Sequence, residues 1–528
     1  MRITRLPPLQ GLRVHFVGAK GTGMAALAEI FAARGAILTG SDVADHFYTD
    51  EILAGIGLKP SIGFDASHLP GDARLVVHSA AYAPDRNPEL IEAARRGLPV
   101  MTYPEALGAL SRETDSSGIA GVHGKTTSTA MAGTVIDALG LSATVLAGSA
   151  VSNFGGRCTL VKGDRHFVAE TCEYRRHFLN FSPSRILLTS VESDHQDYYP
   201  TLADIMEAFV EYCLSLPPGG ELIYCADDQG ASEVARRCSA LRSDIRAIPY
   251  GFDAEGPWRI ENFSTGEGET RFTLSGAPGE FSLKVPGKHL VLDATGALAL
   301  VAAIVSGDRG GAPLLGPEWE AARVSLAEFR GSRRRSEIVG ESGGILFMDD
   351  YAHHPTAIAA TIGGIKAFHP GRRLVVDFMS HTYSRTAALL GEFAAALAGA
   401  DALVLHKIYA SAREEPLPGL DGRTLYRKAL AAHPELVEIG VAGEDAMRED
   451  AMRGGALSGG VAGENAAHGL KSRNPYGFAL YTEEPEDAAR ALSSLLAPGD
   501  LFLTMGAGDN WKLGKTLLDR FAAKETKK

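Results

Sequence analysis

A chain of 528 residues with 45% hydrophobic content is too long for one core and apolar enough to fill several, so two to four globular domains are expected. Its 52 Lys and Arg stand against 64 Asp and Glu, a net charge of -12, and the one basic run is Arg333-Arg334-Arg335, which leaves no electrostatic footprint for nucleic acid. Five cysteines without a CxxC pair argue against a disulfide framework and for a reducing cytoplasm; with no apolar signal core and no run of 18 apolar residues, no membrane insertion is expected.

Residues 13 to 18 read as a strand, followed by the turn Gly18-Ala19-Lys20-Gly21-Thr22-Gly23-Met24 and a helix from Ala25 to Arg34 that Gly35 stops. A strand from Ala36 to Thr39 ends in Gly40-Ser41-Asp42, and Leu75-Val76-Val77-His78 ends in Ser79-Ala80-Ala81. This alternation predicts a small parallel sheet with its loops at the carboxyl ends. The glycine spacing is GxxGxG and not the GxGxxG of dinucleotide folds, although Asp42, nineteen residues after Gly23, stands where a ribose-binding carboxylate would. A diphosphate held on the helix N-terminus is one reading, and a tight strand-helix turn is the other.

After about residue 107 a second alternation begins. Gly121-Val122-His123-Gly124-Lys125-Thr126-Thr127 follows the apolar pair Ile119-Ala120 and leads into a helix-like segment, as a phosphate loop does. Its glycines admit a polyphosphate, Lys125 supplies charge, and the Thr126 hydroxyl suits Mg²⁺. Two residues separate Gly121 from Gly124 where the general pattern has four, so the loop is a shortened variant. Strands at Phe167 to Glu170 and Arg185 to Ser190 end in the polar clusters Glu170-Thr171-Cys172-Glu173-Tyr174 and Ser190-Val191-Glu192-Ser193-Asp194-His195-Gln196-Asp197. Either alone would be a solvated acidic loop. Together, on the edge of a parallel sheet that carries a phosphate loop, they aim hard oxygen ligands and one His at the triphosphate. Cys172 reads as a packed small residue.

An amphipathic helix is expected from Leu202 to Leu216. Short alternating segments at 258–261, 270–274 and 280–285 predict antiparallel strands. Gly287-Lys288-His289 opens a helix from Val291 to Val305, and a break at Leu314 to Pro317 precedes a helix from Glu318 to Phe329. The last region carries strands at 344–348, 373–378, 402–405 and 500–505, the first two ending in Asp349-Asp350-Tyr351-Ala352-His353-His354-Pro355 and Ser380-His381-Thr382-Tyr383-Ser384-Arg385-Thr386. Residues 441–475, rich in Gly, Ala and Ser, read as a flexible insertion.

In this order and spacing the motifs resemble the Mur ligase family over nearly the whole chain. The matches run from Val17-Gly18-x-x-Gly21-x-Gly23-Met24 and Gly40-Ser41-Asp42 through the phosphate loop, Ala169-Glu170-x-x-Glu173 and Glu192-x-Asp194-His195. They continue with Asp349-Asp350-Tyr351-x-His353-His354-Pro355-Thr356, His381-Thr382-Tyr383-Ser384-Arg385-Thr386, Ile408-Tyr409-Ala410-x-Ala412-Arg413-Glu414 and Gly506-Ala507-Gly508. The resemblance implies an α/β protein of three domains. Residues 1–107 would form a Rossmann-like parallel sheet that binds a UDP sugar, 108–328 a P-loop ATPase-type domain with a small antiparallel sheet, and 329–528 a Rossmann-like amino-acid-binding domain that closes over the reaction centre. It implies a reaction in which UDP-N-acetylmuramic acid and L-alanine are joined with ATP and Mg²⁺ in cytoplasmic peptidoglycan precursor synthesis, by a monomer or weak homodimer.

Carried over residue by residue, the resemblance assigns Gly18, Gly21, Gly23, Met24, Ser41, Asp42 and Ser79 to the UDP sugar. It assigns Gly121, His123, Gly124, Lys125, Thr126, Thr127, His289, Asp293, Arg334 and Asp350 to ATP. Thr126, Glu170 and His195 go to the metal, and Tyr351, His353, His381 and Arg385 to the amino acid. Lys125, His195, His353 and Arg385 would carry the chemistry. A carboxylate is a poor acyl donor, so it must first attack the γ-phosphate; the amine then displaces phosphate, and both steps need positioning and positive charge more than a protein nucleophile. Departures are Leu290 and Asp293, where the family has Asn, Arg333 in place of a small glycine, and Thr382 in place of an Arg. The absence of Lys in the Glu192 to Tyr199 loop fits the alanine-adding branch. A recycling ligase that attaches a preformed tripeptide, and a nucleotide-binding scaffold without catalysis, stay as alternatives.

Overall fold

The computed structural model describes residues 5–410, 414–439 and 477–526. The chain divides into two compact units, Met1–Arg333 and Arg334–Lys528. The insertion expected at 441–475 lies outside the described residues.

The first unit opens with a five-stranded parallel sheet of β1 (Arg13–Val17), β2 (Ile37–Asp42), β3 (Ser61–Ile62), β4 (Leu75–His78) and β5 (Val100–Thr102), in the order β3-β2-β1-β4-β5. Helix Thr22–Ala33 buries Leu27, Ile30 and Phe31 in one core with Val14 and Phe16 of β1. Beneath this sheet Glu89 is fully buried and accepts hydrogen bonds from Ser41 Oγ at 2.5 Å and, at 3.0 Å, from His15 Nε2. Burial alone would raise the Glu89 pKa, but the bonds from His15 and Ser41 outweigh it and hold it below the ordinary carboxylate value.

A seven-stranded sheet follows, built from β6 (Asp115–Ala120), β7 (Ala143–Val151), β8 (Arg157–Val161), β9 (His166–Glu170), β10 (Arg185–Leu188), β11 (Glu221–Cys225) and β12 (Arg246–Tyr250). Its order is β12-β11-β10-β6-β9-β7-β8, parallel throughout except for β8. The carboxyl ends of β6, β9 and β10 therefore share one edge, as the sequence requires if both polar clusters are to reach the phosphate loop. A small antiparallel sheet of β13 (Ile260–Gly266), β14 (Glu269–Leu274) and β15 (Glu280–Leu283) joins the core of this region through Phe272 and Phe281. Its first strand lies later than the expected 258–261, because Trp258 packs against the core ahead of the ladder.

Helix Lys288–Asp308 meets the length and mean hydropathy of a membrane span although it holds no unbroken run of 18 apolar residues. Asp293, Thr295 and Gly296 interrupt the run, but the Leu, Val, Ile and Ala around them keep the mean hydropathy at 2.0. The helix is mostly buried, packed in the same core as Val135 and Ile136 of helix Lys125–Ala138.

The second unit holds one seven-stranded sheet of β16 (Glu337–Ser342), β17 (Ile345–Asp350), β18 (Arg373–Met379), β19 (Ala402–Leu405), β20 (Val437–Ile439), β21 (Phe478–Tyr481) and β22 (Asp500–Gly506). The order is β16-β17-β22-β18-β19-β21-β20, with only β16 antiparallel. Leu374, Val376 and Phe378 of β18 enter one core and Val375 the other, so both faces are covered, which is why these strands read as continuous apolar runs.

Candidate active sites

Strand β6 delivers the chain into Gly121–Gly124, and helix Lys125–Ala138 leaves from it. Gly121 (φ 140°) and Gly124 (φ 80°) both occupy the left-handed region. A Cβ at Gly121 would collide with Thr189 Oγ1, and one at Gly124 with Asp293 Oδ1, so both positions need glycine for space as well as for φ. The exit of β10 braces the loop: Val122 N donates to Ser190 O at 3.0 Å and His123 N to Ser190 Oγ at 2.9 Å. No side chain caps the helix at Gly124, which leaves its start suited to an anion.

Lys125 Nζ donates to Glu173 Oε2 at 2.9 Å, to Val122 O at 3.3 Å and to Gly121 O. The other oxygen of the same carboxylate, Glu173 Oε1, lies 3.3 Å from His195 Nε2, and Tyr199 OH donates to the Glu173 carbonyl at 2.6 Å. Burial opposes charge on both members of the Lys125–Glu173 pair, yet their mutual attraction prevails. Lys125 is held above its ordinary pKa and Glu173, only 2% exposed, below its own. His195 adopts φ 53°, with its carbonyl accepting the Tyr198 and Tyr199 N–H groups at 2.8 Å each.

Lys125 and His195 meet through Glu173, which the sequence placed in a cluster of oxygen ligands without singling it out as a site residue. The signal was present: Glu173 stands three residues after Glu170 in the same polar cluster, where the strand that ends at Glu170 leads into the 3-10 helix Tyr174–Asn180 with Glu173 at its N-cap. Glu170 itself lies against Gly148, where a Cβ would overlap its carboxylate, and its Oε2 is buried without a hydrogen-bond partner. A buried, unpartnered carboxylate oxygen is the kind of donor a hard divalent cation takes, and Glu170 stands at the carboxyl end of β9, on the same sheet edge as the phosphate loop and the exit of β10. Thr126 and Thr127 occupy the first helical turn, and His123 Nε2 faces Glu192 Oε1. His289 and Asp293 stand in the first two turns of helix Lys288–Asp308, and Asp293 accepts from Ser128 Oγ at 3.1 Å.

The residues expected at the UDP sugar collect at the carboxyl ends of β1, β2 and β4. Gly18 (φ 79°) packs under Tyr82, whose ring a Cβ would strike, and Gly23 packs under Tyr103 in the same way. Gly21 is the uncapped start of helix Thr22–Ala33, and Met24 is buried in it. Asp42 is engaged within the protein: it accepts from Lys20 N at 2.6 Å and Val43 N at 2.7 Å, and Tyr82 OH lies 3.3 Å away. Ser41 is buried with its hydroxyl turned to Glu89, and Ser79 Oγ accepts from Ala81 N at 3.3 Å. Tyr82 and Tyr103, which close over the glycine loop, were not singled out by sequence, since an aromatic after a strand carries no pattern of its own.

In the second unit Tyr351, His353, His381 and Arg385 do converge. The rings of Tyr351 and His353 lie 5.1 Å apart, those of His353 and His381 6.1 Å, and Arg385 Nη1 is 3.4 Å from His381 Nδ1. Tyr409 joins them, its ring 6.0 Å from that of His381. Asp350 accepts from Ser336 N at 2.6 Å and Ala352 N at 2.7 Å. The Arg334 guanidinium is held by Asp349 Oδ2 at 2.9 Å, Gly506 O at 2.7 Å and Gly508 O at 3.2 Å. Asp349 is pushed up to about 6 by burial, against the pull of Arg334.

Three family models match in succession: "Mur ligase family, catalytic domain" over residues 13–114, "Mur ligase middle domain" over 119–301 and "Mur ligase, glutamate ligase domain" over 334–508. The chain is 47% identical over 513 residues to the UDP-N-acetylmuramate–L-alanine ligase of Treponema pallidum (strain Nichols), which covers 97% of each. It is 36% identical over 511 residues to the enzyme of the same name from Desulfitobacterium hafniense (strain Y51), covering 96% of this chain and 99% of that one. Among solved structures, the UDP-N-acetylmuramate-alanine ligase of Thermotoga maritima aligns with a TM-score of 0.69 at 24% identity over 97% of this chain and 100% of that one. A murein peptide ligase from Psychrobacter arcticus aligns with a TM-score of 0.61 at 21% identity over 97% and 99%. At such identities the structural likeness speaks to fold. A phosphate loop on a parallel sheet, with a separate α/β unit carrying a His-Arg cluster, is the layout of an ATP-driven ligase, and the chain belongs to the Mur ligase family.

Proposed function

We propose that the chain is an ATP-dependent carbon-nitrogen ligase that joins the lactyl carboxylate of UDP-N-acetylmuramic acid to L-alanine in the cytoplasm, through an acyl phosphate. The observation that carries the reading is the chain of contacts from Lys125 through Glu173 to His195 on the phosphate loop, which concentrates charge where a γ-phosphate would be transferred. On this reading residues 1–107 hold the UDP sugar, 108–328 ATP, and 329–528 the amino acid.

Lys125 holds the β- and γ-phosphates and offsets their charge as the substrate carboxylate attacks in line. Thr126, Glu170 and His195 would hold Mg²⁺, which would screen the crowded oxygens and polarise the γ-phosphate. Gly121 and Gly124 let the backbone approach the phosphates, with Asp293 and His289 bordering the nucleotide from the neighbouring helix. Arg385 takes the amino-acid carboxylate in a fork, steadied by His381, and His353 accepts a proton from the amine before it attacks the acyl carbon. Identities of 47% and 36% over nearly the full length to alanine-adding enzymes favour L-alanine over a preformed tripeptide as the acceptor.

The test is phosphate release by the purified protein with ATP, Mg²⁺ and UDP-N-acetylmuramic acid, comparing L-alanine with the murein tripeptide. Release with L-alanine is expected. Release with the tripeptide alone would overturn the reading in favour of the recycling ligase.

A further inference from the structure

Directly under the His-Arg cluster of the second unit lies a polar network that the reaction described above does not use. Asp377 of β18 is completely buried. Its Oδ1 lies 2.6 Å from Nε2 of His406, the residue that follows β19, and its Oδ2 accepts from Asn510 Nδ2 at 2.8 Å. The other ring nitrogen of His406, Nδ1, lies 3.0 Å from Oγ1 of Thr482, the residue that follows β21. Asn510 Nδ2 also reaches the carbonyls of Asp377 at 3.2 Å and of Met505, in β22, at 3.1 Å. Asp377, His406 and Asn510 are each no more than 2% exposed. Burial alone would discharge His406, but the facing Asp377 carboxylate keeps its pKa above the ordinary value.

The strands it joins, β22, β18, β19 and β21, are consecutive neighbours in the sheet. Each contributes at or just beyond its carboxyl end, where the site loops depart. From β18 the chain passes through Ser380 to His381 and Arg385. From β19 it passes through His406 to Tyr409, which pairs by backbone with that segment: Tyr409 N donates to Ser380 O at 2.8 Å and Thr382 N to Tyr409 O at 3.1 Å. From β22 it enters Gly506–Gly508, whose carbonyls Arg334 holds. A buried ion pair is weak evidence for stability, since its desolvation offsets its attraction, but it fixes geometry because only one arrangement satisfies it.

We propose that Asp377, His406 and Asn510 are positioning residues for the amino-acid site, a buried strap that sets the register of the loops carrying His381, Arg385 and Tyr409. The inference rests on the assignment of that cluster to L-alanine. The strap touches no substrate; it acts by holding His381 and Arg385 at the spacing that the carboxylate and amine of a small amino acid require, and slack in it degrades recognition of that substrate alone.

The experiment measures steady-state phosphate release for His406→Gln and Asp377→Asn, each neutral and near in shape, and for the apolar double variant Asp377→Leu/His406→Leu. KM for L-alanine is expected to rise at least tenfold in both single variants, with KM for ATP and for UDP-N-acetylmuramic acid within about threefold of wild type. The double variant, which leaves no buried charge unpaired, supports the proposal if it melts near the wild-type temperature and still shows the raised KM for L-alanine. A uniform fall in kcat with all three KM values unchanged, or a lowered melting temperature with normal kinetics, would overturn it. The wild-type protein run alongside separates the two claims. If it shows no release with L-alanine, the assignment of the substrate falls and takes the strap's role with it; if it does and KM for L-alanine stays put in the variants, only the strap falls.

Discussion

Lys125→Ala is expected to lower ATP-dependent phosphate release by roughly 10³-fold or more, while the affinity for the UDP sugar stays at its wild-type value. The ammonium group lies inside the phosphate loop, bonded to the carbonyls of Gly121 and Val122 and paired with Glu173, all of them in the unit's second sheet region and none in the glycine loop after β1. The glycine loop expected to receive the UDP sugar belongs to a different sheet, with its own helix start at Gly21. Isothermal titration with the UDP sugar and a coupled phosphate assay read the two properties separately. Equal loss of both would break the assignment of the two nucleotides to different domains.

Glu173→Gln is expected to cost about 10²- to 10³-fold in kcat, more than Glu170→Gln. Glu173 touches both Lys125 and His195, so its loss as a charge leaves the buried ammonium without its partner and loosens His195 at once. Glu170 has a buried oxygen without a partner, so its contribution is confined to whatever cation it meets. The two variants, assayed across a range of Mg²⁺ concentrations, separate these roles: Glu170→Gln should be partly rescued by more Mg²⁺, and Glu173→Gln should not. A larger loss in Glu170→Gln would return the leading part to Glu170.

Much of this was legible in the chain because parallel strands with both faces covered are apolar runs that end abruptly in polar residues, and the change marks the functional edge. Gly121 to Thr127, the two acidic clusters and the His-Arg cluster all stand at such ends. What the sequence concealed was which member of a cluster turns inward. Glu170 and Glu173 are equivalent as letters, and only the path from β9 into the 3-10 helix Tyr174–Asn180 decides that Glu173 meets Lys125. Asp42 and Arg334, expected to face nucleotides, are also engaged within the protein, by Lys20 N and by Asp349, which their place in the sequence did not show. Strands β7 and β8 escaped notice since small residues such as Ala147, Gly148 and Ser149 dilute the alternation that would have marked them. The strap under the amino-acid site was invisible for another reason: Asp377, His406 and Asn510 are far apart in sequence and meet only across neighbouring strands.

The measurement that bears most directly on the central claim uses UDP-N-acetylmuramic acid labelled with ¹⁸O in both lactyl carboxylate oxygens, incubated with ATP, Mg²⁺ and L-alanine. If the carboxylate attacks the γ-phosphate and the amine then displaces it, one labelled oxygen passes to phosphate for each amide formed, and mass spectrometry will find singly labelled phosphate and singly labelled product in equal amounts. Unlabelled phosphate released with amide formation, or labelled phosphate without it, would contradict the account.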